Sequence, residues 1–166
     1  MKIFECLLCG DEFFSDSFKY NVIYNDAAYE VQAKYKKKGL DQVAIASDDI
    51  IEENEADLVT VVDLVDNHQL SEINLGKKDF MGYVKTFLAA ITAKLEAKGK
   101  TDRVPEFKKG ATELVKFIVS KYDEFQIYTG KSGSWEGSLA FSYTKNQEDP
   151  GPTFLFFKDA LMEVKC

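Results

Sequence analysis

The 166-residue sequence predicts an α+β fold in which a folded antiparallel β-sheet carries an α-helical hairpin and a long acidic loop. Two observations support this prediction. Short apolar runs rich in aromatic and β-branched residues recur along the chain, as is typical of strands. Two later segments place apolar residues at three- and four-residue intervals, which is typical of amphipathic helices. We expect residues 1–166 to form a single domain, because no internal repeat or second boundary is visible.

Seven short strands are predicted, which favours a mostly antiparallel sheet. In the clearest run, Leu139, Phe141 and Tyr143 point one way and the intervening small residues the other, so we expect one buried and one exposed face. Residues 130–133 and 149–152 supply turns. The predicted strands lie near residues 2–8, 18–24, 28–35, 58–66, 124–129, 138–144 and 153–158.

The helical hairpin is predicted over residues 76–122. Gly99 marks the end of its first helix, and Thr101, Asp102 and Pro105 are residue types that begin a second. Each apolar stripe covers about one third of its helix, so we expect the stripes to pack in the core. The first stripe contains Phe80, Val84, Phe87, Leu88, Ile91 and Leu95, and the second Val104, Phe107, Ala111, Leu114, Val115, Ile118 and Tyr122.

Residues 36–57 interrupt these patterns. A lysine-rich start leads into residues 48–57, where six of ten side chains are acidic and few suit a core. Such a run predicts a flexible, solvated acidic loop.

Composition disfavours several classes of protein. No apolar run approaches the roughly 20 residues that a membrane helix needs, and the first residues do not form a secretory signal. The net charge of −7 disfavours nucleic-acid binding. Three cysteines, an odd number, suit a reducing compartment. We therefore expect a cytoplasmic protein with no membrane or nucleic-acid partner.

No catalytic constellation is recognisable in the sequence. His68 is the only histidine, and its polar neighbours indicate a structural role rather than a Ser-His-Asp or Cys-His site. No phosphate-binding glycine motif occurs. We predict a protein that is not an enzyme and requires no cofactor.

Cys6 and Cys9 have a spacing that metal and redox sites share. A structural zinc site needs about four ligands, and the remaining cysteine and His68 match no zinc module. A redox pair of the thioredoxin type belongs at a helix start, whereas this pair ends a predicted strand. We interpret the two as packed or half-exposed thiols and keep a thiol enzyme as a hypothesis, to be rejected if both are buried without a neighbouring base. Cys166, at the end of the chain, is free to link two otherwise monomeric chains by a disulfide.

The hairpin carries the positive charge of the chain. Residues 76–122 contain eleven basic and five acidic residues, a net charge of +6 against −13 for the rest. A dipolar protein of this kind can steer its basic surface toward an acidic partner. The alternative is that the lysines only solvate the outer faces of the helices. The candidate contact residues are Lys85, Lys94, Lys98, Lys100, Arg103, Lys108, Lys109 and Lys116.

Several segments together resemble one known family. These are FLFFKDALMEVKC (154–166), MKIF (1–4), DEFFSDSF (11–18), VDLVDNHQL (62–70) and FQIYTG (125–130), with two helix patterns between the last two. In this order they resemble the translationally controlled tumour protein (TCTP) family. The family's glycine- and serine-rich loop signature is largely missing, because residues 43–48 read VAIASD.

The resemblance implies a β-tent fold, similar to that of a Rab accessory protein, and a cytosolic regulatory or adaptor protein linked to growth and stress survival. It places binding of tubulin and microtubules on the hairpin. It also implies contact with a Ras-like GTPase such as Rheb through Asp11 and Glu12, as a nucleotide-exchange or chaperone-like factor. Some relatives act outside cells, so non-classical secretion is an alternative. Weak calcium binding is implied as well, and the acidic loop offers Asp48, Asp49, Glu52 and Glu53 as oxygen ligands.

Overall fold

The structure, a computed structural model, describes residues 1–39 and 58–165. Its strands are β1 (Lys2–Cys6), β2 (Glu12–Ser15), β3 (Lys19–Ile23), β4 (Ala28–Gln32), β5 (Tyr35–Gly39), β6 (Leu58–Val62), β7 (Ser71–Ile73), β8 (Gln126–Thr129), β9 (Leu139–Tyr143), β10 (Thr153–Phe157) and β11 (Leu161–Lys165). Its α-helices are α1 (Asp63–His68), α2 (Lys77–Ala97) and α3 (Val104–Ser120). Short 3₁₀-helices precede α3, β8 and β11.

The strands pair antiparallel throughout the part of the chain that the structure describes. Six of them form one sheet in the order β3-β4-β10-β9-β8-β7, and three form a second in the order β11-β1-β2. The remaining two, β5 and β6, form a separate ribbon. The predicted α+β class with a folded antiparallel sheet is confirmed.

Two hydrophobic cores lie on opposite faces of the six-stranded sheet. One joins the sheet to the apolar sides of α2 and α3, and Leu155 and Phe157 of β10 belong to it. The other joins the sheet to β1, β2 and α1, and Phe154 and Phe156 of the same strand belong to it. Because side chains alternate along a strand, one strand serves both cores.

The prediction of an exposed face on residues 139–143 is wrong. All five side chains of β9 are buried: Leu139, Phe141 and Tyr143 pack toward the helices, and Ala140 packs toward the three-stranded sheet. The small residues of β9 therefore face a second layer of protein and not water.

The helical hairpin ends and restarts where the sequence predicts. Gly99 has a φ of 73°, and its N–H and that of Lys100 donate to the carbonyl oxygens of Glu96 and Leu95 at 3.0 and 2.9 Å. This is the glycine-based end of a helix, in which the last carbonyls find donors. Pro105 lies in the first turn of α3, where its missing N–H costs no hydrogen bond.

The predicted strand over 58–66 is wrong in its second half, because the chain turns into α1 at Asp63. The Asp63 carboxylate accepts the backbone N–H groups of Leu64 and Lys34 at 2.7 and 2.9 Å, which fixes the helix start beside β5. Leu64 is buried in the second core. One helical turn and a strand place apolar residues similarly over so short a run, so periodicity alone does not separate them.

The predicted loop over 36–57 begins too early. Lys36 and Lys38 belong to β5, and their ammonium groups reach the carboxylate of Asp66 at 2.9 and 2.7 Å. These hydrogen bonds hold the pKa of Asp66 below its ordinary value. Residues 40–57 lie outside the described residues, so the loop there stays a prediction.

Candidate functional site

A basic cleft lies at the turn of the helical hairpin. Lys94 lines it from the last turn of α2, Lys98 and Lys100 line it from the turn that follows, and Lys158 lines it from the 3₁₀-turn after β10. Its volume is about 460 Å³. The three hairpin lysines are exposed, and cations are favoured near a helix C-terminus, where the backbone carbonyls carry partial negative charge. The fold thus brings four lysines to one concave surface.

The acidic side chains of the basic cleft already have basic partners. The carboxylate of Asp159 is held by Arg103, with a nitrogen-to-oxygen distance of 2.9 Å. Glu163 lies 3.6 Å from the ammonium group of Lys2. The four lysines of the cleft therefore leave an excess of positive charge. Arg103 is used within the protein and is not free for a partner, although the sequence suggested it as a contact residue.

The floor of the basic cleft is apolar. Leu95 and Leu161 are buried beneath it, and Met162 is 41% exposed beside them. A basic rim over an apolar floor suits an acidic chain that carries an occasional apolar side chain.

The other predicted contact lysines lie elsewhere on the hairpin. Lys85 is on the exposed side of α2, and Lys108, Lys109 and Lys116 are on the exposed side of α3. None of these four lines the basic cleft. They fit the alternative that some hairpin lysines only solvate the helices.

Asp11 and Glu12 differ in their freedom to contact a partner. The Asp11 carboxylate accepts the hydroxyl of Ser132 at 2.7 Å and its backbone N–H at 3.3 Å, which ties Asp11 to the turn after β8. Glu12 is exposed at the start of β2 and borders a cleft of about 330 Å³ that Lys131 also lines. Of the two candidates for GTPase contact, Glu12 is the more exposed residue.

His68 is half-buried in the same cleft, with its ring centroid 6.0 Å from that of Phe18. Burial lowers its pKa, and the nearby Glu12 carboxylate offsets part of that effect. A largely neutral, packed ring agrees with the structural role predicted for this histidine.

Cys6 is buried, and Cys9 is half-buried. The hypothesis of a thiol enzyme is to be rejected if both thiols are buried without a neighbouring base. Cys9 is only half-buried, so this condition is not met. The interpretation as packed and half-exposed thiols is compatible with this placement.

Several predicted residues lie outside the described residues. These are the calcium candidates Asp48, Asp49, Glu52 and Glu53, and the disulfide candidate Cys166. Within residues 1–39 and 58–165, no group of three or more His, Cys, Asp or Glu side chains is placed to hold a metal ion. In the same ranges, no helix is long and apolar enough to cross a membrane.

Lys158 is the residue of the basic cleft that sequence reasoning missed as a contact candidate. It is 58 positions beyond Lys100, and no spacing rule connects the two. The signal in the sequence is the motif FFKD (156–159), which is also part of the family resemblance.

Comparison with known proteins decides the family. The family model "Translationally controlled tumour protein" matches residues 1–162. The chain belongs to that family. Relatives include the translationally-controlled tumor protein homologs of Plasmodium chabaudi chabaudi and Plasmodium berghei, 38% and 37% identical over 172 aligned positions that cover 99% of each chain.

Two solved TCTP structures agree with the fold. The translationally controlled tumor-associated protein of Schizosaccharomyces pombe is 28% identical with a TM-score of 0.82, and each chain is fully covered. The NMR structure of the Caenorhabditis elegans TCTP, 23% identical, matches with a TM-score of 0.71 over 100% of this chain and 99% of its own. The TCTP match runs from residue 1 to residue 162, so it includes the four lysines of the basic cleft and the Asp11-Glu12 segment.

Proposed function

We propose that this TCTP-family protein is a non-enzymatic, cytoplasmic binding protein that takes up acidic segments of partner proteins in the basic cleft. The observation that supports the proposal is the convergence of Lys94, Lys98 and Lys100 with Lys158 around one cleft. Its role is that of a regulatory adaptor linked to growth and stress survival, as the resemblance implies.

The chemistry of the cleft favours a flexible acidic segment as the partner. The hairpin carries +6 and the remainder of the chain −13, so an acidic partner is attracted to one end of the molecule and repelled by the rest. The acidic tails of tubulin have the required charge, and microtubules are the partner that we propose.

Binding of this kind is weak for each contact and depends on salt. An exposed ion pair contributes about 0.2–1 kcal/mol, so four lysines give a modest affinity that is lost as ions screen them. Attraction between exposed charges is largely screened beyond about 8 Å at physiological ionic strength.

A titration of the labelled protein with a glutamate-rich peptide tests the proposal. Backbone amide resonances of residues 94–100 and 158–162 should shift in NMR spectra, while those of residues 108–116 should not. A peptide with every glutamate replaced by glutamine is the matched control and should shift neither set. Equal shifts in both sets of residues, or shifts with the glutamine peptide, would contradict the proposed site.

A second candidate function is regulation of a Ras-like GTPase through Glu12. The exposed carboxylate at the start of β2 supports it, because a carboxylate near a nucleotide site can compete for Mg²⁺ or for the phosphate-binding lysine. Asp11 then has the role of fixing the turn through Ser132 rather than contacting the GTPase.

A further inference from the structure

The turn between β1 and β2 brings two thiols together. Cys6 is the last residue of β1, and Cys9 follows three positions later. The Gly10 N–H donates to the Cys6 carbonyl oxygen at 2.9 Å, and the Cys6 N–H donates to the Asp11 carbonyl oxygen at 2.8 Å. A tight turn brings Cα atoms three positions apart within about 7 Å, and a disulfide spans Cα atoms about 4.4–6.8 Å apart.

Two backbone N–H groups point at the sulfur of Cys6. Leu8 donates to this Sγ atom at 3.3 Å, and Ser138, from the segment before β9, donates at 3.2 Å. Donors of this kind favour the thiolate. The hydrogen bond from the Cys9 thiol is the largest cause that lowers the pKa of Cys6, to about 5, with smaller contributions from Ser138 and against the opposing effect of burial. The same contact raises the pKa of Cys9, so at neutral pH the pair holds one proton, on Cys9.

The segment before β9 lies against both sulfur atoms. A Cβ atom at Gly137 would be 2.5 Å from Sγ of Cys9 and 3.3 Å from Sγ of Cys6, so only glycine allows this approach. The Tyr83 hydroxyl donates to the Gly137 carbonyl oxygen at 2.8 Å and holds the segment in place.

Cys9 is the thiol that a reagent can reach. Cys6 is 1% exposed, whereas Cys9 is half-buried. An apolar cleft of about 700 Å³ borders the same turn, lined by Leu8 between the two cysteines and by Trp135 close to Gly137.

We propose that Cys6 and Cys9 form a redox-active dithiol, which a low-molecular-weight disulfide such as glutathione disulfide oxidises to an intramolecular disulfide. The pairing of the two sulfurs, the donors on Cys6 and the accessibility of Cys9 support the proposal. Zinc is a weaker alternative, because within residues 1–39 and 58–165 no third ligand joins the pair.

The reaction proceeds by two exchanges. Cys6 thiolate takes the proton of Cys9 as the Cys9 sulfur bonds to one sulfur of the oxidant, and the other leaves as a thiolate. The released small-molecule thiolate takes the proton from Cys6. The Cys6 sulfur then bonds to the Cys9 sulfur, and the bond between Cys9 and the remaining half of the oxidant breaks, so that this half leaves as a thiolate. One protein thiolate and one protein thiol are oxidised to one disulfide, and one small disulfide is reduced to a thiol and a thiolate, so the single proton of the pair ends on the small thiol.

Intact mass after equilibration in glutathione buffers tests the proposal. The full chain with Cys166→Ser is used, so that the terminal thiol does not contribute. As the share of glutathione disulfide rises, the folded protein should lose two hydrogen atoms, and dithiothreitol should restore them. Peptide mapping should place the bond between Cys6 and Cys9.

The matched control is Cys6→Ser in the same background. Without its partner thiol, Cys9 should accumulate a stable glutathione adduct, and circular dichroism checks that the variant is folded. The measurement on the unsubstituted pair does not depend on that variant. A folded pair that shows no change of mass across the buffer series would overturn the proposal, as would a pair that stops at the adduct on Cys9 with Cys6 still free.

Discussion

Arg103 and Asp159 form a two-point ion pair, in which Nε and Nη2 of the guanidinium each lie 2.9 Å from one carboxylate oxygen. The same guanidinium donates to the carbonyl oxygens of Asn25 and Asp26 in the turn between β3 and β4. Tyr24, Asn25 and Asp26 in that turn all have positive φ values, between 54° and 61°. Left-handed backbone is unfavourable for a bulky residue such as Tyr24, whereas Asn and Asp tolerate it better. Arg103 therefore holds together the start of α3, a strained turn and one wall of the basic cleft.

The Arg103→Ala substitution should lower the free energy of unfolding by about 2–3 kcal/mol, because it leaves the carboxylate of Asp159, 8% exposed, without its charged partner. Arg103→Lys should recover only part of the loss, since an ammonium cannot make the same two-point contact. Urea unfolding measures both. Lys109→Ala, on the exposed side of α3, is the control and should leave stability unchanged. If Arg103→Ala proves as stable as this control, the structural role of the pair is wrong.

Glu12→Val should leave the stability of the protein unchanged, because this side chain is exposed. Asp11→Ala should lower the unfolding midpoint, because it removes the acceptor for Ser132. If the GTPase proposal is correct, the wild-type protein should accelerate nucleotide release from a Rheb-like GTPase, and Glu12→Val should not. Release that is unaffected by wild-type protein at high concentration would reject the proposal whatever the variant does.

Oxidation of the Cys6–Cys9 pair should depend little on pH between about 6 and 8. The pKa of Cys6 is lowered to about 5, so the pair keeps one negative charge over this range. An ordinary thiol, with a pKa of about 8.5, loses nearly tenfold in thiolate for each unit of acidification. The other titratable groups at the pair are Asp11 and Tyr83, and burial raises the pKa of Tyr83 well above its ordinary value, so it stays neutral.

Stopped-flow oxidation rates measured against a free-thiol peptide check this profile. The lowered pKa of Cys6 also makes the free energy of unfolding depend on pH. Its stabilising contribution is fully present above the pKa of an unfolded thiol and is lost as the pH falls through about 5. A rate that falls in parallel with that of the peptide would show that the pair is an ordinary protonated dithiol.

The sequence predicted the hairpin and the family better than it predicted the sheets. Gly99 and the two apolar stripes determine the hairpin locally, so their pattern was sufficient. Strands β2, β5, β7 and β11 were not predicted as strands. They are short, and β5 carries three lysines whose pairing with Asp66 and Thr60 depends on residues more than twenty positions away.

The basic cleft could be predicted only in part, because it also depends on residues that are far apart in the sequence. Charge counting located the positive excess on the hairpin, but it could not separate Lys98, which lines the cleft, from Lys109, which does not. The contribution of Lys158 depends on how β10 and the turn after it pack beside the end of α2. Contacts of that range are not encoded in any local spacing.

Cys166 lies outside the described residues, and its role stays a prediction. We expect the purified protein to form some dimer under oxidising conditions, with Cys166→Ser remaining monomeric on non-reducing electrophoresis. A dimer that persists in this variant would assign the link to Cys9 or Cys6 instead.

Cosedimentation with microtubules tests the central proposal most directly, because two sets of substitutions change the net charge equally. One set reverses Lys94, Lys98 and Lys100 to Glu within the basic cleft, and the other reverses Lys108, Lys109 and Lys116 on α3. Glutamate is mildly unfavourable at the end of a helix, so a version of the first set with glutamine, checked by circular dichroism, separates loss of charge from loss of helix.

The account predicts that wild-type binding falls steeply with salt, that both cleft variants bind much more weakly than wild type, and that the α3 variant retains most of its binding. Deletion of residues 40–56 should leave binding intact or slightly improve it, because it removes charge of the same sign as the partner. Equal cosedimentation of the cleft and α3 variants across the salt series would contradict the account and leave the cleft lysines as solvating groups.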